Sequence, residues 1–242
     1  DHQYVTGCAD QRLKQTVCRR IVELAHDAGA QAVAQGVEPR WRWYVVQSAL
    51  AIWHDDPAIR DRLASHIEKA MREAKLTSFW TNPDEAAEAA VKALADAVLD
   101  QWREPPPALT ALLGRGRALG LAQLAFQMLM PGFPDIYRGD EAELLSLTDP
   151  DNRLAVDWHV LAWEPAPGSK AEWTRALLAL RRESADFLAR ATARIEVADG
   201  TLRLIREGGG QRIVVELRPG PAPADAWKAG EFDGVSVAVI RH

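Results

Sequence analysis

The stretch "PGFPDIYRGDE", Pro131 to Glu141, decides how this chain is read. Two prolines and two glycines in so short a span exclude a helix there. Three acidic residues, an arginine and a tyrosine crowd the same segment, which therefore reads as the rim of a site. A second polar loop, "SLTDPDNRLAVDW" (Ser146–Trp158), follows almost at once.

Working outward, residues 107–130 read as a helix interrupted by Gly114, Gly116 and Gly120, and its end, "LAFQMLM" (Leu124–Met130), is apolar enough to finish as a buried strand. Downstream, "SKAEWTRALLALRRESADFL" (Ser169–Leu188) predicts a helix with Trp173, Leu177 and Leu180 on one side. The last fifty residues alternate apolar and polar positions. "ARIEVADG", "TLRLIREGGG", "QRIVVELRPG" and "GVSVAVIRH" predict an antiparallel module with glycine turns. The Pro/Ala/Gly-rich "PGPAPADAWKAG" (Pro219–Gly230) reads as a loose connection before the final strand.

Upstream, 41–53 is apolar and predicts a helix. "DDPAIRDRLASHIEKAMREAKL" (Asp55–Leu76) predicts a second, with Asp56 as N-cap, Pro57 at the first helical position and Ile59, Leu63, Ile67 and Met71 on one face. Asn82, again followed by proline, is the expected cap of a third helix, "DEAAEAAVKALADAVLDQW". Residues 11–28 show helical spacing through Leu13, Val17, Ile21 and Leu24, and "AQAVAQGVE" (Ala30–Glu38) reads as a short buried strand.

Composition bounds the function. Of 242 residues, 48% are hydrophobic and 26% charged, an ordinary globular balance, and the net charge of −5 argues against nucleic acid as a partner. Two cysteines, Cys8 and Cys18, make no disulfide framework and no metal-binding spacing, so a reducing cytoplasm is the expected compartment and no metal or cofactor is expected. No apolar run is long enough to span a membrane. The opening "DHQYVTGCAD" lacks Met and resembles no signal peptide, as expected of a piece of something larger. Nine tryptophans can serve packing or the stacking of sugar rings.

Three ordered motifs carry a family resemblance: "EKAMREAKLTSFWTNPDEAAEAAV" (Glu68–Val91), "MPGFPDIYRGDE" (Met130–Glu141) and "SLTDPDNRLAVDW". Together they resemble the maltooligosyltrehalose synthases of the α-amylase superfamily, over about Trp43 to Phe187. The resemblance implies the C-terminal part of a (β/α)8 barrel, with the Phe126–Glu141 stretch as its last strand and rim loop, where barrel sites lie. The expected class is thus α+β: a mostly helical body followed by a small antiparallel β domain. The expected division is 1–40, an α/β segment of uncertain origin; 41–191, the barrel part; and 192–242, the β domain.

The implied activity converts the reducing-end α-1,4 link of a maltooligosaccharide to an α,α-1,1 link, forming maltooligosyl trehalose. That chemistry needs a nucleophilic carboxylate and an acid/base carboxylate flanking the scissile bond, and the superfamily adds a third that holds the distorted sugar. All three lie upstream of the matched motifs. "DNRLAVD" has the wrong order to replace one, and the His26-Asp27 and His54-Asp55 pairs read as surface pairs. No catalytic residue is assigned, and the chain alone is expected to be inactive.

Substrate-binding roles are implied for Asp149, Asn152, Arg153 and Asp157, for Lys75, and for Tyr137 and Asp135 at the rim. Arg153 offers a rigid fork to hydroxyls; its alternative is an ion pair with Asp149, Asp151 or Asp157. Lys75 has the alternative of a solvated helix lysine, and Trp80 is either core or stacking platform. Glu141 is expected to tie its loop to the barrel. Leu154 and Ala155 stand where the family has Arg and Pro, Arg138 where it has Gln, and Phe79 interrupts the family's "TSW".

"RLKQTVCRRIVELAHDAGAQAVAQGVE" (Arg12–Glu38) instead resembles part of an EAL-type cyclic-di-GMP phosphodiesterase, with Gln35 in place of an active-site Glu and only Glu38 kept. The competing functions are a catalytically dead glucan-binding or interaction module and a signalling remnant led by residues 1–38. The expected partners are a maltooligosaccharide or α-glucan and a missing upstream part of the barrel.

Overall fold

A computed structural model describes residues 19–27, 36–153, 155–159 and 164–242. The described chain divides into two compact units: residues 19–27, 36–112, 145–153 and 155 form the first, and residues 113–144, 156–159 and 164–242 the second.

The first unit includes α1 (Pro39–Ile52), α2 (Ile59–Ala74) and α3 (Glu85–Gln101). The four-residue spacing of Ile59, Leu63, Ile67 and Met71 puts all of them on the buried face of α2. They share the core with Val45, Val46, Ala49 and Ile52 of α1 and Leu94 and Val98 of α3. Charges on the outer faces bind α2 to α3. Arg60 donates to Asp96 at 3.0 Å and to Asp100 at 2.5 Å, and Lys92 reaches Glu68 at 2.5 Å.

Two expected caps are corrected. Asp56 does accept the Ala58 amide at 2.9 Å, but this closes a turn, and α2 begins only at Ile59. The cap of α3 is Asp84, whose side chain accepts from the Ala87 amide, not Asn82. Asp fits the position because an ionised acceptor also suits the positive end of the helix dipole. Residues 19–27 are helical as expected. Most of the strand expected at Ala30–Glu38 lies outside the described residues.

The second unit begins within α4 (Pro107–Leu129), a continuous helix in which Gly114, Gly116 and Gly120 cause no interruption. The strand expected at its end is overturned: Phe126–Leu129 are helical. A strand needs a neighbour to satisfy its backbone, and none among the described residues pairs there. Next comes α5 (Lys170–Glu183), opened by an N-cap serine and a first-turn glutamate. The Ser169 hydroxyl accepts from the Glu172 amide, and the Glu172 carboxylate accepts from Gly168 N–H at 2.8 Å. A short α6 (Ala185–Arg190) leads into the sheet.

The sheet holds β1 (Thr192–Ala198), β2 (Thr201–Gly208), β3 (Gln211–Pro219), β4 (Lys228–Phe232) and β5 (Val235–Arg241), all pairings antiparallel, in the order β1-β2-β3-β5-β4. The strand β4 lies in the stretch expected to be loose connection. Its "KAGEF" carries little apolar pattern, and the Asp233-Gly234 turn folds it onto β5. Three two-residue turns, Asp199-Gly200, Gly209-Gly210 and Asp233-Gly234, have positive φ at both positions, the hairpin geometry that Asp-Gly and Gly-Gly accept most readily.

Leu204, Ile213, Val215, Val237 and Val239 form one face of the sheet and share a single core with Ala118–Leu129 of α4 and with Trp173, Leu177 and Leu180 of α5. Amid this apolar set stands Arg206, 1% exposed. Its guanidinium donates to the carbonyls of Thr192 (3.1 Å), Leu188 (2.5 Å), Ala191 (3.0 Å) and Leu129. Two of those carbonyls close α4 and α6, where helix ends lack internal partners.

Replacing Arg206 by Met should therefore strand several buried carbonyls and lower the stability of the second unit by about 3 kcal/mol or more. Urea denaturation followed by circular dichroism measures it; a change under about 0.5 kcal/mol, the scale of an ordinary surface substitution, would refute the assignment.

Candidate functional site

In the first unit, the loop bearing Asp149, Asn152 and Arg153 is fastened to α2. Asp151, expected only as one possible partner of Arg153, is 5% exposed and belongs to Arg62. Arg62 donates from Nε to Asp151 Oδ1 at 2.7 Å and from a terminal nitrogen to Oδ2 at 2.9 Å, in the paired geometry that guanidinium and carboxylate favour. The same arginine reaches the Leu145 carbonyl at 2.6 Å, and Asp151 Oδ2 accepts the Leu147 amide at 2.7 Å. Burial alone would raise the Asp151 pKa, but Arg62 and the Leu147 amide outweigh it and hold the carboxyl below its ordinary range.

With Asp151 so used, the chain winds into a short 3-10 turn, Asp151–Arg153. Asn152 and Arg153 face outward. Arg153 forms an ion pair with Asp149, which resolves the open choice of its partner. Asp149 also accepts from Lys69 on α2, and that hydrogen bond keeps the carboxyl ionised well below its usual pKa. The loop thus presents a carboxylate, an amide and a guanidinium together, able to accept from and donate to hydroxyls.

Lys75 stands at the end of α2 in left-handed conformation, φ 54°, with its side chain exposed. The turn after it is anchored from below. Ser78, fully buried, donates to Glu88, and Glu88 also receives Arg72 through two hydrogen bonds of 2.8 Å. The Arg72 bonds are the main reason the Glu88 carboxyl titrates below its ordinary value. Trp80 is not core: it is 55% exposed, with the Arg72 guanidinium 5.1 Å from its ring centre.

The first unit also contains a groove of about 430 Å³ beside Asp149. Arg40, Trp41, Tyr44, His66, Lys69 and Glu73 line it. Neither Tyr44 nor His66 was singled out from the sequence, because an aromatic or histidine on an apolar helix face looks like core. Their rings stack with centres 5.7 Å apart and planes 4° off parallel, and the Tyr44 hydroxyl is hydrogen-bonded to His66 Nε2 at 2.6 Å.

The remaining candidates belong to the second unit. Met130–Glu141 is an irregular loop whose ends are pinned to α5: Arg181 donates to the carbonyls of Met128 (2.5 Å) and Gly132, Lys170 pairs with Asp140, and Thr174 donates to the Glu141 carbonyl at 2.9 Å. The Asp135 carbonyl accepts from Gln127, while the Asp135 side chain is exposed, as is Tyr137. Phe133 is wholly exposed. Gly139, at φ 87°, lies where an added Cβ would come within 3.3 Å of both Val156 methyl groups. Asp157 is exposed and accepts the His159 amide at 2.9 Å.

The histidine–aspartate pairs carry no site. His26 and Asp27 are a loose exposed pair at 3.9 Å, and His54 contacts the Ile52 carbonyl and Asp56, not Asp55. Among the described residues no group of three or more His, Cys, Asp or Glu could hold a metal, and no helix is long and apolar enough to cross a membrane.

No family model matches the chain. Two Mycobacterium tuberculosis proteins, of strains CDC 1551 and H37Rv, described as maltooligosyl trehalose synthase, are 33% identical to it over 161 residues. That alignment covers 63% of this chain and 21% of each relative, so the chain spans about a fifth of their length. Among solved structures, a Sulfolobus tokodaii protein described as a maltooligosyl trehalose synthase superposes with a TM-score of 0.69 at 21% identity, covering 90% of this chain and 33% of that one. A variant of the Arthrobacter ramosus maltooligosyltrehalose synthase gives a TM-score of 0.65 at 20% identity, over 93% of this chain and 35% of that one. These structures establish a shared fold.

Removing the Asp151 carboxylate should free the loop. Asp151→Ala is expected to cost the first unit about 3 kcal/mol, since it strands a half-paired arginine. Asp149, Asp151 and Glu88 all have depressed pKa values, so the stability they add is complete above the ordinary carboxylate range and is lost as pH falls through their folded values. Urea midpoints between pH 7 and pH 2 should fall on the acid side, and less steeply in Asp151→Ala; equal acid slopes would contradict this. From these observations, the chain is homologous over most of its length to a part of maltooligosyl trehalose synthase.

Proposed function

We propose that this chain is the C-terminal part of a maltooligosyltrehalose synthase and supplies substrate-binding surface, not the reacting carboxylates. The observation that carries this reading is the 33% identity over 161 residues to the mycobacterial relatives. The reaction moves the reducing-end glucose of a maltooligosaccharide from an α-1,4 to an α,α-1,1 link. It requires a nucleophile and an acid/base on either side of the glycosidic bond. Those groups belong to the preceding part of the barrel, which this chain would complete.

In this reading Asp149, Asn152 and Arg153 of the first unit present hydroxyl-binding groups to sugar, with Lys75 as a further contact there; in the second unit Asp157, Tyr137 and Asp135 are the proposed sugar contacts. Asp149, ionised through Lys69, accepts hydrogen bonds from sugar hydroxyls; Arg153 donates. The Met130–Glu141 loop supplies part of the rim of the barrel site. Its wholly exposed Phe133 suits a surface that the preceding part of the barrel covers in the whole enzyme. Residues 192–242 form the β domain that follows the barrel. The EAL-like residues 1–38 have no part in this activity.

The chain alone should convert no maltohexaose to non-reducing sugar, as read by the loss of reducing ends. Turnover by the isolated chain that Asp135→Asn or Asp157→Asn abolishes would overturn the reading. The product of the complete gene should form non-reducing sugar, and Arg153→Ala in it should lower kcat/KM about tenfold or more, the loss of one charged hydrogen bond.

A further inference from the structure

The groove beside Asp149 has features that the homology does not assign. Its lining joins aromatic rings to two cations, Arg40 and Lys69, and two carboxylates, Glu73 and Asp149; Lys69 pairs with both carboxylates and Arg40 with Glu38. A net-neutral wall disfavours a phosphate or any strongly anionic ligand, which would need surplus cations. Its volume of about 430 Å³ lies in the roughly 300–1,000 Å³ range of small-molecule sites.

Two wall residues also carry unmet hydrogen-bonding capacity. Trp41 is 5% and His66 6% exposed, yet Trp41 Nε1 and His66 Nδ1 have no protein partner. Buried polar atoms without partners are exceptions in folded proteins and call for a water or a ligand. Tyr44 occupies the other His66 nitrogen and meets Trp41 edge-on at 5.7 Å, so the three rings form one rigid aromatic wall. Burial lowers the His66 pKa, which leaves a neutral imidazole to exchange hydrogen bonds with hydroxyls.

We propose that this groove binds a neutral hexopyranose unit of an α-glucan, with Tyr44 as its aromatic contact and Arg40, Glu73 and His66 as hydroxyl partners. The choice of an α-glucan rests on the function proposed above; the neutral, polyhydroxylated class rests on the groove itself. Such a ligand matches the site because pyranoses offer an apolar face to rings and a rim of hydroxyls to both donors and acceptors.

Titration calorimetry of the full chain with maltohexaose tests it. Saturable binding is expected, weakened at least fivefold by Glu73→Ala and by Arg40→Ala, both exposed residues whose replacement spares the core. Tyr44→Ala should weaken it further, and Arg194→Ala on the β sheet should leave it unchanged. Binding that the groove variants leave intact overturns the groove site while sparing the proposed function. Absence of binding, with non-reducing sugar still made by the complete gene product, does the same. If neither binding nor product appears, both readings fail. Tighter binding of glucuronate than of maltohexaose overturns the neutral-ligand assignment.

Discussion

A single buried guanidinium organises the second unit. Arg206 points into the apolar face of the sheet, and its donors are met by four main-chain carbonyls, not by an acid. A carbonyl at a helix end buried without a partner is costly. Arg206 removes that cost at the end of α4 and in α6, and ties both to the start of β1. It does so from β2, which pairs with β1, on the sheet face that packs against Trp173 and Leu177. An aliphatic residue would fill the same volume but leave the carbonyls unmet, and lysine has too few donors in too compact a head.

The first unit uses the same device with the charges reversed. There an acid, Asp151, is buried in a loop and satisfied by Arg62 of α2 and the Leu147 amide. The residues on either side of Asp151 are consequently held outward. Asp149 is offered to Lys69 and Arg153, and Asn152 to solvent. In "DPDNR" the two aspartates are chemically identical, yet one serves the scaffold and its neighbour forms the presenting surface. Their environments differ: one is almost fully buried between Arg62 and the Leu147 amide, the other is partly in solvent beside Lys69 and Arg153. The Glu88–Arg72–Ser78 group repeats the logic beneath the turn that carries Lys75 and Trp80. Charged residues facing sugar would thus be positioned by charged residues that never meet it.

Much of the fold was legible in the chain alone. The spacing of Ile59, Leu63, Ile67 and Met71 and the glycine turns after β1 and β2 are local signals, and each describes what a short peptide prefers. The errors have one origin. Phe126–Met130 is equally apolar whether helix or strand, and the choice depends on whether a partner strand lies beside it. "KAGEF" has no strand signal of its own; β5 made it one. Asn82 and Asp84 are both good caps, and only the path of the turn selects between them.

The sequence by itself determined the helices α1, α2 and α3, the β1–β2 and β2–β3 hairpins and, through three short motifs, the homology to a part of maltooligosyl trehalose synthase. Only the tertiary structure decided which charged residues are spent on the scaffold and which are presented, and that Tyr44 and His66 wall a groove. The physical reason is that hydrogen-bond partners for Arg206, Asp151 and Glu88 are separated from them along the chain and joined only by folding. A residue's type fixes what it can bond; its burial and neighbours fix whether that capacity is already used.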